Sequence, residues 1–410
     1  MLLWESEALA RASSGVAHPV GYPTRAQAAV VSPSTATNVS QDWLEERLRD
    51  NLASLDAVRL QMGTELLALD NTTDGVRAVT RDASGRSSVV HARYAVAADG
   101  AHSFVRRRLG IRMHGPDETL TGRQVLFRAP IWELLGSVRY LLYWVTTSNA
   151  EGLFLPAGRG DRWIYAPGGD DTADLEHGRL LELIRRGAGV PDLEPQIERI
   201  STFHAAGQLA DRFRSGNVFL AGDAAHRVTP RGGTGMNVAL HSGADLGWKL
   251  AWALRGWADT ELLDTYESER RTAVAHNVAR SNDPAGSRRR VDEELHVDLG
   301  GRLTHVWVRS GSRRVSTLDL LGPGWTLFTG PSRREWEAAA AAVPSHAPVV
   351  VRDLDAVSAR ALGVVGEGAL LARPDGVPVA IWPSSAGATA ELARAVRLVA
   401  RPAGVSDRAA

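Results

Sequence analysis

The sequence predicts an α/β protein built from a discontinuous first domain, a β-rich layer inserted into that domain, and a further α/β unit at the C-terminal end. Three observations predict it. An apolar strand near residue 95 ends in Asp99-Gly100 and leads into a short helix; a second apolar strand near residue 218 ends in Gly222-Asp223 and leads into a glycine-rich loop and a long helix; between them the pattern shifts to longer β-like segments. At 410 residues, with 44% hydrophobic and 23% charged, the chain can bury a large core and is long enough for two or three domains.

Taken in order, residues 1–40 read as mixed and turn-rich. Ser40 is a candidate N-cap for a helix with apolar residues at Trp43, Leu44, Leu48 and Leu52. Short β-like runs follow at Val58–Met62, Glu65–Leu69, Val76–Arg81 and Ser88–Ala92, with Asp82-Ala83-Ser84-Gly85 as a hairpin turn. They read as a small antiparallel meander leading to the strand Tyr94–Ala98 and to a helix between Ser103, a candidate cap, and Gly110, a candidate stop. The β-rich layer comprises Gln124–Arg128, Val138–Thr146, Gly152–Leu155 and Arg162–Ala166, with a helix near Leu175–Gly187. Asn217–Ala221 is a compact strand, and the long helix runs from about Met236 to Arg255. Beyond the polar stretch Ser287–Arg290, strands at Trp325–Phe328, Val349–Arg352, Ala369–Ala372 and Val379–Trp382 alternate with helices.

Composition excludes several classes of chemistry. There is no cysteine, which removes disulfides, thiolate nucleophiles, iron–sulfur clusters and cysteine-ligated zinc. Forty-seven basic residues balance forty-seven acidic ones, so bulk charge attracts no nucleic acid and small, nearly neutral ligands fit better. No apolar run reaches the ~18 residues of a membrane span, and the first twelve residues carry two glutamates rather than a signal sequence, so a cytoplasmic protein is expected. His226 and His241 lie fifteen residues apart with no carboxylate pair at ligand spacing, so no metal site is expected. Trp248 and Trp252, one helical turn apart, are expected to pack in the core.

The segment from Gly216 through Asp223 to Asn237 carries the strongest chemical signal. A buried strand delivers the Asp223 carboxylate at its C-terminal end, where open α/β sheets place ligands and where it can accept hydrogen bonds from a ligand hydroxyl. Beyond Pro230, the glycines Gly232, Gly233 and Gly235 allow close approach to a flat ligand, and the amides that open the helix at Met236 and Asn237 can stabilise negative charge. A reduced flavin, anionic along one edge of its ring, matches that helix terminus. A lone Gly-Asp would read as a turn or a helix cap.

This run, continuing through Leu246, Trp248, Lys249 and Leu250, resembles the GD motif and the trailing GGxGMN of the class A flavoprotein hydroxylases over about forty residues. Asp99-Gly100-Ala101-His102-Ser103-Phe104-Val105-Arg106 is similar to the family's DGxxSxxR motif, 124 residues before Asp223. The resemblance implies that Asp99 lies near the flavin pyrophosphate, that Arg106 braces its loop, and that Gln41 contacts the cofactor. Ser316–Gly322 and Leu370–Gly376 resemble the thioredoxin-like C-terminal domain of the phenol- and polyketide-hydroxylase branches, which without cysteine can do no dithiol chemistry.

The implied fold is of the p-hydroxybenzoate hydroxylase type. Its expected boundaries are residues 1–111 and 216–290 for the two segments of the FAD-binding domain, 112–215 for the substrate domain and 300–400 for the thioredoxin-like domain. The implied activity is hydroxylation of a phenolic or polyketide-type aromatic with bound FAD, NAD(P)H as co-substrate and O2. No acid or base is singled out, and a homodimer is compatible with this reading. The family also has a strand–GxGxxG–helix unit ahead of the glutamine helix, and no GxGxxG occurs in these 410 residues, where only forty precede Gln41. Three accounts are open: a start assigned too far downstream, loss of the segment with decay, or a chain working without tightly held FAD. The intact downstream motifs favour the first. A chain lacking those strands is expected to expose strand edges and hold FAD weakly, and a degenerate flavoprotein acting only in binding is the alternative function.

Overall fold

The first forty residues are more ordered than their turn-rich composition suggests. In the computed structural model, which describes residues 2–398 except 20–22, 36, 169–175, 287–289, 292–293 and 295–299, β1 (Leu2–Ser6) and β2 (Val16–Pro19) form an antiparallel pair. A 3-10 turn, Leu9–Ser14, joins them, and α1 (Arg25–Val31) follows behind a capping box of Thr24 and Gln27. Next comes α2 (Gln41–Ala53), which starts where its spacing predicts and yet has no buried residue. Ser40 holds the cap position with extended backbone, but its hydroxyl serves Asp42 rather than a helix amide.

The meander consists of β3 (Glu65–Thr72), β4 (Gly75–Arg81) and β5 (Ser87–Ala92), paired in that order. Gly85, at φ +84°, closes the hairpin after Asp82 as read from the sequence. The strand expected at Val58–Met62 does not form. No strand among the described residues offers it hydrogen bonds, and Val58, Leu60 and Met62 are all exposed. Then come β6 (Ala95–Ala97) and α3 (Phe104–Arg108), capped by the Ser103 hydroxyl on the Arg106 amide.

After the short β7 (Met113–His114), the β-rich layer is built from β8 (Leu120–Arg128), α4 (Ile131–Leu135), β9 (Leu142–Val145), β10 (Gly152–Pro156), β11 (Arg162–Pro167), α5 (His177–Ala188) and β12 (Gln196–Ala205). The residues expected to begin α5, near Leu175, lie outside the described residues. Strand β9 is shorter than the expected Val138–Thr146 because Tyr143 turns its hydroxyl back to the Tyr140 amide and the Val138 carbonyl. The strands form one seven-stranded sheet in the order β12-β8-β11-β10-β9-β1-β2. Strand β1 runs parallel to β9, with Trp4 opposite Tyr143, so the N-terminal strands complete the sheet assigned to residues 112–215 rather than one belonging to residues 1–111. Period-two burial sorts its faces. Val125, Phe127, Tyr143, Val145, Phe154, Trp163 and Tyr165 are buried with Leu180 and Ile184 of α5 in one core. The opposite face carries Leu126, Trp144, Leu153, Leu155 and Ile164, all half-buried.

The chain then returns to the first domain through β13 (Gln208–Ala210), β14 (Arg214–Ser215) and β15 (Val218–Leu220), which runs parallel to β6. All three residues of β15 are buried. Among the described residues the outer edge of β6 has no partner strand, and its Val96 is 45% exposed. The short β16 (His226–Arg227) pairs with β13, and the helices α6 (Gly235–Arg255) and α7 (Thr265–Asn282) pack behind.

The C-terminal unit adds the hairpin β17 (Trp307–Ser310) and β18 (Arg313–Ser316), then β19 (Trp325–Thr329), α8 (Arg334–Ala342), β20 (Val349–Asp353), α9 (Ala356–Ala361), β21 (Ala369–Ala372), β22 (Pro378–Trp382) and α10 (Ala388–Leu398). Its four-stranded sheet, β20-β19-β21-β22, has the parallel β19/β20 pair and antiparallel remainder expected of a thioredoxin-like unit. Trp252 of α6 packs edge-on against Trp325 at 4.8 Å and donates to the Pro323 carbonyl at 2.8 Å, so this tryptophan joins two units as well as filling a core. No helix among the described residues is long and apolar enough to cross a membrane.

Candidate cofactor site

Parallel pairing of β6 with β15 brings the two sequence motifs side by side, since Ala97 lies opposite Leu220 and each strand ends in its aspartate turn. Asp99 accepts the Val105 amide at 3.0 Å, capping the first turn of α3. Arg106, buried on that helix, donates through Nη2 to the Ala101 carbonyl at 2.9 Å and through Nη1 to the Ala224 carbonyl at 3.1 Å. One guanidinium therefore ties its own loop to the turn that carries Asp223. Burial is the main influence on this arginine and draws its pKa down, with Arg107 adding to the effect.

Asp223 sits in a 3-10 turn, Gly222–Ala224, against α6, where a Cβ on Gly222 would lie 3.7 Å from that of Ala239. Asp223 is an exposed residue whose carboxylate makes no hydrogen bond or ion pair with any described residue; the protein on its inner side raises its pKa by desolvation and Arg227 opposes that. This argues against a turn-capping or helix-capping role. His226, three residues on, is buried, and desolvation lowers its pKa to about 4; Nε2 faces Ser242 Oγ at 3.4 Å and Nδ1 has no partner.

The loop from Pro230 to Gly233 closes with the Gly233 amide on the Pro230 carbonyl at 3.0 Å. Gly232 and Gly233 have φ of +79° and +62°, a region in which side chains are strained, so glycine is required to bring the backbone round. Helix α6 then begins without a side-chain cap. Thr234, at its N-cap, is 2% exposed, and its hydroxyl has no hydrogen-bond partner. Met236 and Asn237 are exposed in the first turn. A 21-residue helix with an uncapped N-terminus, an orphaned hydroxyl beside it and an unpartnered carboxylate nearby suits a ligand that has both hydroxyls and negative charge. FAD has both.

Asp99, Asp223, Pro230, Gly232, Gly233, Gly235, Met236 and Asn237 thus lie on adjoining turns of one region. Gln41 stands apart. Its side chain bonds Glu45 at 2.7 Å within α2, while the neighbouring Asp42 pairs with Arg162 of β11 at 2.8 Å, anchoring the helix to the β-rich layer. A hydrogen bond from the Ser40 hydroxyl, and after it the one from Arg162, brings the Asp42 pKa down to about 2. Between α2 and that layer runs an open groove of about 520 Å³ lined by Trp43, Arg128, Arg159 and Arg162. Sequence reasoning assigned no role to it, nor to the ion-pair group in which the buried Asp245 and Lys249 of α6 meet the exposed Glu269 of α7 and the half-buried Arg373 and Asp375 of the C-terminal unit. Three carboxylate oxygens come within 4.8 Å of one another there, but Lys249 and Arg373 supply the matching positive charge.

Comparison with known proteins shows the family. A family model described as "FAD binding domain" matches residues 5–281, and one described as "Aromatic-ring hydroxylase, C-terminal" matches residues 296–402. The chain is 37% identical over 257 residues to a putative polyketide hydroxylase of Streptomyces coelicolor, covering 61% of this chain and 41% of that protein. It is 32% identical over 406 residues to the tetracenomycin A2 monooxygenase-dioxygenase of Streptomyces glaucescens, covering 84% of this chain and 72% of that one. Among solved structures, the aklavinone-11 hydroxylase in a ternary complex with FAD and aklavinone superposes with a TM-score of 0.84 at 28% identity, over 97% of this chain and 85% of that chain. Since both family models fall on the units that the strand order defines, the chain belongs to the FAD-binding aromatic-ring hydroxylase family.

Proposed function

We propose that this chain acts as an FAD-dependent monooxygenase on phenolic or polyketide-type aromatic substrates, with NAD(P)H as reductant and O2 as oxidant. The observation that carries the reading is the unpartnered Asp223 carboxylate beside the uncapped start of α6. When bound, the flavin supplies the redox chemistry and the oxygen transfer. The protein's part is placement. Asp223 would accept a ligand hydroxyl, and the amides opening α6, reached through the Gly232–Gly233 turn, would stabilise negative charge on the bound cofactor. Arg106 keeps the two aspartate turns together.

The half-buried face of the seven-stranded sheet supports the substrate class. Leu126 lies opposite Ile164, Ile164 opposite Leu155, and Leu153 opposite Trp144, giving a continuous apolar floor for a planar molecule. The similar proteins described above, a polyketide hydroxylase and an aklavinone hydroxylase, point the same way. The test is aerobic turnover: purified protein supplied with FAD, NADPH or NADH and a panel of polycyclic phenols should consume reductant and O2 with formation of hydroxylated product. Oxidation of NAD(P)H matched by reduction of O2 to hydrogen peroxide, without hydroxylated product from any aromatic, would make it an oxidase, and failure to bind flavin would remove the reading altogether.

A further inference from the structure

The loop that follows Pro230 is held from behind by the end of α7, and nothing in the cofactor motifs points to the residues that do so. Just ahead of the loop, the Thr229 amide donates to Ser281 Oγ at 3.2 Å and the Thr229 hydroxyl donates to the Ser281 carbonyl at 2.7 Å. At its middle, a Cβ built on Gly232 would lie 3.0, 3.1 and 3.3 Å from Nε, Cζ and Nη2 of Arg280, so the guanidinium fork lies directly against the Gly232 backbone.

Arg280 is itself fixed on several sides. It is 1% exposed, its Nε donates to the Gly286 carbonyl at 3.1 Å, and its Nη1 lies 3.2 Å from Glu294 Oε2. The same carboxylate oxygen, equally buried, meets His276 Nε2 at 2.7 Å, one helical turn before Arg280. A buried guanidinium is costly unless its charge and donors are answered, and removal of one partner from such a group is strongly felt. Lysine cannot reproduce the rigid fork.

We propose that Arg280, held by Glu294 and His276, is a positioning residue that sets the conformation of the Thr229–Thr234 turn. It does so before any cofactor arrives. Its importance for FAD rests on the functional reading above, whereas the positioning itself does not.

Hydrogen exchange of the full chain without added FAD tests it. In Arg280→Met the amides of residues 231–236 should exchange about tenfold faster, with the interior of α6 at residues 240–252 unchanged. Arg280→Lys should behave like Arg280→Met, because the fork and not the charge supports Gly232, and Glu294→Gln should loosen the turn in the same direction to a smaller extent. Unchanged exchange at residues 231–236 would overturn the proposal, as would equal acceleration throughout α6, which would make Arg280 a general support of the fold. If Arg280→Met does not fold, Glu294→Gln and Ser281→Ala give the same comparison. FAD titration of the same variants separates the two claims: a loosened turn with unchanged affinity for FAD leaves the positioning intact and removes the flavin from this turn.

Discussion

Arg106 donates to the Ala224 carbonyl at 3.1 Å across a sequence separation of 118 residues, the one side-chain hydrogen bond among the described residues that links the DG loop to the GD turn. Replacement by methionine keeps the apolar stem and orphans two carbonyls, the buried one of Ala224 and the part-buried one of Ala101. Arg106→Met is expected to lower stability by roughly 2–4 kcal/mol, with Arg106→Lys intermediate because a single ammonium cannot reach both. Urea melts of the variants measure it, and a change below about 0.5 kcal/mol would show the bridge to be incidental.

Asp223→Ala should weaken FAD binding roughly 10- to 150-fold, the equivalent of a charge-assisted hydrogen bond of about 1.5–3 kcal/mol. Because the carboxylate bonds no described residue, the melting temperature without FAD should hardly change. Asp223→Asn retains an acceptor and should lose less. Flavin fluorescence titration beside thermal melts decides this; a lowered melting temperature with full FAD affinity would return Asp223 to a structural role.

His226 gives a pH signature. Its folded pKa of about 4 lies below the ordinary histidine value of 6.5, so the unfolded chain takes up a proton that the folded chain refuses between those values. The sign follows: this histidine costs nothing above about pH 6.5, and stability falls as the pH drops from there to about 4, by about 3 kcal/mol in total. In His226→Asn the slope of unfolding free energy against pH between 6.5 and 4.5 should be shallower by about one proton. An unaltered slope would mean that His226 is solvated when folded.

How much of this was legible in the sequence follows from the range of the interactions. The strands ending at Asp99 and Asp223, the Ser103 cap and the long helix were all readable, since each is set by residues within a few positions. The pairing of β1 with β9 was not, because a five-residue strand shows its partner only in three dimensions. Apolar spacing found α2 correctly but implied a buried face that the helix lacks. For Gln41 the family resemblance supplied a role for which the described contacts give no neighbour other than Glu45. Arg280 and Glu294 carry no spacing signal, being joined by contact alone.

Lys249, the only lysine, is fully buried between Asp245 at 2.9 Å and Glu269 at 3.1 Å. Burial pushes Asp245 up in pKa against the pull of Lys249, whereas at Glu269 burial also pushes up but Arg373 and Lys249 together outweigh it. Arg373 reaches Glu269 from the C-terminal unit with two bonds of 2.9 and 2.8 Å. Lys249→Met is expected to cost about 3–5 kcal/mol by stranding the Asp245 carboxylate. Arg373→Met should instead loosen the contact between units, seen as a second calorimetric transition. A single transition would assign that contact to Trp252 and Trp325 alone.

The pairing of β6 with β15 also bears on engineering. The polypeptide departs from this two-strand seam after Ala97, opposite Leu220, and rejoins it at Val218, opposite Ala95, so it leaves at one end of the parallel pair and returns at the other. A foreign substrate layer grafted in place of residues 112–215 leaves both aspartate turns in the host, since Asp99 and Asp223 lie outside that segment. Because Leu2–Ser6 lies as a strand within the host layer, a graft that replaced residues 112–215 alone would leave β1 without its neighbour β9. A working chimera therefore needs two exchanges made together, the internal segment and the first nineteen residues, so that every donor strand arrives with its own hydrogen-bonding neighbours.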